Sequence, residues 1–215
     1  MKIKWLGHSC FIIEGRDRII VDPFIEGNPL CKEKVSNIKV DIVAVTHSHD
    51  DHLGNAIEIS KMNNAKIVAI HEIACYAQSK GAEAEGINIG GGIKIKNTEI
   101  YMVPAFHSSG NTCPAGLIID TERPVYHAGD TSIFSDMKII GEIYKPYVAL
   151  LPIGGRYTMD ARQAGIAVSL LKPKIAIPMH YNTFDLIRCD PEEFKKSVRE
   201  AEVIIMKPNE EIEIK

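Results

Sequence analysis

Hydrophobic positions along the chain gather into short β-branched runs, separated by stretches in which apolar residues recur at helical spacing. Lys2 to Leu6, Ser9 to Glu14 and Arg18 to Val21 read as strands, with Gly7-His8 and Gly15-Arg16-Asp17 turning between them. Pro23 biases Asp22 toward an extended backbone and stops the third strand. After a loop-like stretch over residues 24–40, Asp41 to Val45 is continuously apolar in its middle, the pattern of a strand buried on both faces. Leu53, Ala56, Ile57 and Ser60 then repeat at helical period, and Asn63-Asn64 close that helix. Lys66 to Ile70 is a strand and His71 to Ser79 a helix capped by Gly81. From Gly86 to Val103, short alternating segments punctuated by Gly90-Gly91-Gly92 and Asn97 predict antiparallel β-structure. Further strands are expected at Ala115 to Asp120, Pro124 to His127, Val148 to Pro152, Ile175 to Pro178 and Val203 to Met206. Helices are expected at Ser135 to Glu142, Asp160 to Leu171 and Pro191 to Ala201. Alternating strands and helices in each half, with an antiparallel block between, predict an α/β fold. Its form is a four-layer αββα sandwich of two mixed β-sheets flanked by helices.

Composition narrows this picture. At 215 residues, with 45% hydrophobic and 25% charged side chains, the chain suits a single globular domain over residues 1–215 with a substantial core. No apolar run approaches the roughly 18 residues of a membrane-spanning helix, so no membrane partner is expected. The net charge of −3, with no basic run, gives no pull toward nucleic acid and leaves a small molecule as the expected substrate. Five cysteines (Cys10, Cys31, Cys75, Cys113 and Cys189) are odd in number and lack C-x-x-C spacing. Met1 to Trp5 runs straight into a strand pattern with no signal-like segment, so a reducing, cytoplasmic setting with inert thiols is expected.

The chemistry concentrates in Thr46-His47-Ser48-His49-Asp50-Asp51-His52-Leu53-Gly54, which carries three of the eight histidines and two acids within six positions. A core segment cannot bury so many unpaired polar groups, whereas imidazole and carboxylate are donors that Zn²⁺ prefers. His47 and His49, two apart, point the same way in an extended segment, and Asp51 and His52 follow at a helix start that aims them elsewhere. One loop can therefore feed two adjacent metal positions. Partners stand at the ends of other strand-like runs: His107, Asp130 and His180. Strand ends on one sheet edge converge in space. Asp130, in Gly129-Asp130-Thr131, suits either a turn or an anionic bridge between two ions, since a carboxylate offers two oxygens.

H-x-H-x-D-H, then a single His, a Gly-Asp and a final His, in that order, resembles the metallo-β-lactamase-fold superfamily, and Asp22 is similar to its first motif aspartate. More narrowly, the chain resembles the branch of uncharacterised metal-dependent hydrolases related to ascorbate-6-phosphate lactonase. The stretches that carry this are Trp5-Leu6-Gly7-His8-Ser9, Val21-Asp22-Pro23-Phe24, Pro152-Ile153-Gly154-Gly155 with Tyr157-Thr158-Met159, and Pro178-Met179-His180-Tyr181-Asn182-Thr183-Phe184.

The resemblance implies that His47, His49 and His107 hold one divalent ion and Asp51, His52 and His180 a second. Asp130 would bridge them, and Asp22 would orient a ligand histidine through its free ring nitrogen. Nitrogen-rich ligation favours Zn²⁺, while Mn²⁺, Ni²⁺ or Fe suit the same donors. The expected reaction is metal-activated hydrolysis of a small ester, lactone or phosphoester, with Asp51 handling the proton and His8 donating one to the leaving group. Arg156, Tyr157 and Thr158, after a Gly-Gly turn, are expected to form a substrate loop. His71 is read as a surface or capping residue, and His127 as core or supporting Asp130. Two rival readings are a phosphodiesterase or nuclease on the same fold, and a metal-binding regulatory protein without turnover. Homo-oligomers are common in the resembled branch, but no residue pattern specifies one.

Overall fold

The β-branched runs pair into two seven-stranded sheets in a computed structural model that describes residues 1–215. β1 (Lys2–Gly7), β2 (Cys10–Glu14), β3 (Arg18–Val21), β4 (Ile42–Ala44), β5 (Lys66–Ile70) and β6 (Ala84–Ile87) lie side by side in that order in the first sheet. The second sheet runs in order through β7 (Gly92–Ile95), β8 (Thr98–Pro104), β9 (Ala115–Asp120), β10 (Pro124–His127), β11 (Val148–Pro152), β12 (Ile175–Met179) and β13 (Glu202–Val203). A last strand, β14 (Glu211–Glu213), returns to the first sheet antiparallel to β1.

Each sheet follows one plan, an antiparallel meander that passes into parallel strands. β1, β2 and β3 pair antiparallel and β3 to β6 parallel. β7 to β10 pair antiparallel and β10 to β13 parallel. Parallel neighbours need crossovers, and helices supply them. α1 (Asp50–Leu53) and α2 (Ala56–Asn63) join β4 to β5, and α3 (His71–Ser79) joins β5 to β6. α4 (Met137–Tyr144), α5 (Ala161–Leu171) and α6 (Pro191–Ser197) do the same from β10 to β13. The expected sandwich of two mixed sheets flanked by helices is therefore present. Every residue of β4, β11 and β12 is buried, as strands covered on both faces must be. One cluster of 62 buried side chains runs through both sheets.

The elements depart from the sequence expectation at several points, one being the helix through Leu53 and Ser60, which is split into α1 and α2. The block from Gly86 to Val103 is not wholly antiparallel: β6 belongs to the first sheet and lies parallel to β5, because α3 carries the chain across as a βαβ unit. α4 is shifted by two residues, to Met137–Tyr144. α6 stops at Ser197, where Val198 takes an extended backbone, and the strand after it shortens to Glu202–Val203. β14 follows the alternation of Ile212 and Ile214 with glutamates, a period-two signal at the end of the chain.

The turn after β10 leaves no room for a side chain. Gly129 has φ +60°, and a Cβ there would lie 2.9 Å from the Ala115 carbonyl oxygen and 3.0 Å from the Thr46 Cβ. Gly129→Ala is expected to lower stability by about 1–3 kcal/mol, read as a fall in the urea midpoint at unchanged slope; an unshifted midpoint contradicts this account.

Candidate metal centre

The ends of β3, β4, β8, β10 and β12 deliver the expected residues to one place. Asp22 follows β3 and, against the extended backbone expected before Pro23, turns the chain with φ +46°, burying its carboxylate completely. Its Oδ1 accepts the Thr46 backbone N–H (2.8 Å) and its Oδ2 accepts the Thr46 hydroxyl (2.7 Å). The same Oδ2 lies 2.7 Å from His52 Nδ1, so Asp22 is tied to the ligand loop from both sides. Gly54 closes α1 with φ +40°, where a Cβ would lie 2.5 Å from the Pro23 carbonyl oxygen. That close approach, with Asn55 N–H donating to Pro23 O (2.9 Å), fastens the short helix to the Asp22 corner. Ser48 in turn holds the His107 loop: its N–H donates to Ser109 Oγ (3.2 Å) and its hydroxyl to Ser109 O (2.8 Å).

Asp130 is the meeting point. Its Oδ1 is 3.3 Å from His52 Nε2, and its Oδ2 is 3.0 Å from His180 Nε2 and 3.5 Å from His107 Nε2. Three overlapping groups have donor atoms mutually within 4.8 Å: His47, His49 and His107; His8, Asp51, His52 and His180; and His47, His52 and Asp130. Despite these short separations, His52 Nε2, Asp130 Oδ1 and His180 Nδ1 are buried without a hydrogen-bond partner. Buried polar atoms are ordinarily satisfied, and ring nitrogens converging with a carboxylate oxygen match the donor set of a borderline divalent cation. The residues fit a metal.

The sequence model of the β-lactamase superfamily domain matches residues 2–180. A metal-dependent hydrolase of Methanosarcina barkeri is 47% identical over 227 residues, covering 100% of this chain and 99% of its own length. One from Staphylothermus marinus is 51% identical over 221 residues, covering 97% and 96%. The chain belongs to the metal-dependent hydrolases of the β-lactamase superfamily. The structure of a metallo hydrolase from the hyperthermophilic archaeon Ignicoccus hospitalis is similar throughout, with a TM-score of 0.93 at 45% identity over 100% of this chain and 99% of that one.

Burial and charge set the electrostatics of this hydrolase. Burial alone would strip the proton from His52, but the Asp130 and Asp22 carboxylates beside it prevail and hold the imidazole well above its ordinary value. Burial likewise opposes the charge on Asp130, and His180 and His52 overcome it, keeping the carboxyl well below the usual range. Asp51 behaves in the same way: burial pushes it up, and the hydrogen bond from His8 and the His52 charge bring it down. Burial, with His52 next to it, lowers His47 to about 2.

His8 lines the cavity at the centre. Nε2 is 3.0 Å from Asp51 Oδ2 and Nδ1 is 2.9 Å from the Thr183 hydroxyl, so both ring nitrogens are engaged. Burial and then His180 lower its pKa to about 4. Its geometry suits holding Asp51 in place. The substrate loop also divides. Tyr157 lines the cavity, Arg156 lies over the Tyr157 ring (5.6 Å), and Thr158 is buried with its hydroxyl donating to Met159 O (3.3 Å). Thr158 therefore faces inward and leaves the substrate role expected of it.

His127 is fully buried; its Nε2 donates to Ser9 O (2.8 Å) and its Nδ1 accepts the Gly129 N–H (3.2 Å), which fixes the turn before Asp130. His71 is exposed at the start of α3. Thr46, Thr183, Phe24 and Phe184 were not singled out as site residues from sequence. Phe24, Thr183 and Phe184 lie in the stretches that carry the family resemblance, and Thr46 directly precedes His47.

Two outcomes are expected. Burial lowers the folded-state pKa of His8, His47, His107 and His127, so the unfolded chain binds protons first as pH drops below the ordinary histidine value of about 6.5, and stability falls. His52 has the opposite sign: its raised value stabilises fully at and below that pH, and the contribution fades as pH rises through the folded value. Protein stripped of metal should melt highest near pH 6.5; a melting temperature still climbing at pH 5 contradicts this. Asp22→Asn should weaken metal retention by about 10–100-fold through His52, measured by competition with a chelator, and undiminished affinity would count against the Asp22–His52 link.

Proposed function

We propose that this hydrolase cleaves a small ester, lactone or phosphoester with water at a dinuclear centre. His47, His49 and His107 would hold one divalent ion and Asp51, His52 and His180 the other, with Asp130 available to both. The observation that carries this reading is the Asp130 carboxylate, with His52 and His107 on different oxygens and an unpartnered Oδ1. Histidine-rich donors with no cysteine favour Zn²⁺, and Mn²⁺, Ni²⁺ or Fe fit the same set. When bound there, such ions would supply Lewis-acid polarisation of the scissile oxygen and a lowered pKa for water.

The chain's own residues do the rest. Asp22 holds the His52 ring so that its Nε2 faces the centre. Asp51, fixed by His8, takes the proton from water and returns it to the departing oxygen. In an ester or lactone, the water oxygen bonds to the carbonyl carbon as the bond to the alkoxy oxygen breaks, giving an acid and an alcohol. A cavity of about 320 Å³ suits a small molecule.

Protein purified without added metal should carry close to two ions per chain by elemental analysis. His47→Ala and Asp130→Ala should each lose metal and reduce turnover on an ester and lactone panel by at least about a hundred-fold. Full activity in metal-free Asp130→Ala protein would sink the reading.

A further inference from the structure

The wall of the cavity carries information about the substrate that the ligand cluster does not. Of the 25 lysines and arginines in the chain, none lines it. The Arg156 guanidinium lies over the Tyr157 ring, and Arg188 is paired with Asp185 at 3.0 Å. Apart from the metal-holding residues and His8, the wall consists of Tyr157, Phe184 and Ile187, with Ser108 as a neutral polar group.

These rings are placed rather than loose. Phe184 packs edge-on against His8 at 5.6 Å and near Phe24 at 6.5 Å, while Ile187 behind it is 1% exposed. Thr183, one residue earlier, hydrogen-bonds His8, so the apolar wall is registered to the ligand cluster through the same segment. Yet Tyr157 and Phe184 remain 52% and 42% exposed, in a protein that buries Trp5, Phe11, Tyr126 and Phe194 almost completely. Half-exposed rings beside a catalytic cavity gain most when a flat apolar group covers them. A phosphate in that position would lose water without finding a counter-charge.

Resting on the hydrolytic reading above, we propose that the substrates are small carboxylic esters or lactones carrying an aryl or similarly flat apolar group. Tyr157 and Phe184 receive that group, and substrates with a distal phosphate are discriminated against.

Three ethyl esters differing only in the acyl end test this on the metal-loaded full chain: phenylpropanoate, butanoate and phosphonopropanoate. The expected order of kcat/KM is phenyl over butyl over phosphono, with at least about ten-fold between the first and last. Phe184→Ala should bring the phenyl-to-butyl ratio to about unity, mainly through KM. Preference for the phosphono ester, lost in Arg156→Ala, overturns the proposal. If no ester turns over, the hydrolytic reading fails and calorimetry with the free acids decides the wall separately. Tighter binding of phenylpropanoate than butanoate, abolished in Phe184→Ala, supports it, and equal binding overturns it. Light scattering adds a last arm: unchanged ligand preference with a changed oligomeric state in Phe184→Ala and Tyr157→Ala would assign the rings to self-association and overturn the proposal.

Discussion

A carboxylate with no access to solvent is the constraint on which this structure depends. Moving a charge out of water is costly unless hydrogen bonds and opposite charge compensate it. Asp22 is fully buried and receives the Thr46 N–H, the Thr46 hydroxyl and the His52 ring at 2.7–2.8 Å. Those three contacts come from the strand end before the ligand loop and from the helix after it. Satisfying one buried charge therefore fixes both ends of the segment that carries His47, His49, Asp51 and His52. The Thr46 hydroxyl also meets His47 Nδ1 at 3.0 Å, so the same anchor orients the first ligand of the other group.

The second constraint is conformational. Asp22, His8, Gly129 and His180 have φ of +46°, +56°, +60° and +54°, each just beyond the end of a strand. For the three that are not glycine, this left-handed backbone costs on the order of 1–2 kcal/mol per residue, so the surrounding fold must hold it. It does so by local bonding. The His8 carbonyl accepts from the Trp5 indole at 2.9 Å and from the His180 N–H at 3.0 Å, joining two corners that lie 172 residues apart in the chain. Because each sheet repeats the meander-to-parallel plan, these corners meet at one place, and the donor set is organised by the protein itself.

Much of this was legible in the sequence, and what was not has a physical cause. Period-two and continuous apolar runs marked eleven of the fourteen strands closely, and the histidine-rich loop could be read as chemistry because six adjacent polar residues have no packing explanation. Sheet membership was less accessible: Ala84–Ile87 looks like its antiparallel neighbours locally, and only the α3 crossover assigns it to the first sheet. The state of His8 was equally hidden, since it depends on Thr183, 175 residues away, and on burial that no local pattern encodes. Thr158 shows the same limit from the other side. Its position after a Gly-Gly turn suggests a surface loop, while Met159 behind it is fully buried and draws the hydroxyl inward.

Charge balance ties the anchor to the cavity. Asp22, Asp51 and Asp130 place three negative charges in or beside the cluster, against four positive charges when two divalent ions are bound. The histidines are then neutral donors, because an imidazole must be unprotonated to ligate. The centre so loaded is positive by a single charge. That is enough to favour one oxygen as it becomes negative during acyl transfer, and too little to compensate several anionic groups. With no lysine or arginine along the cavity to extend the positive field, electrostatic attraction is confined to the reacting atoms. Under the proposed function, contact with Tyr157 and Phe184 would supply the binding energy beyond them. On the proposed reading, the wall and the buried aspartate divide the labour: charge acts on the bond that breaks and apolar surface on the remainder of the molecule.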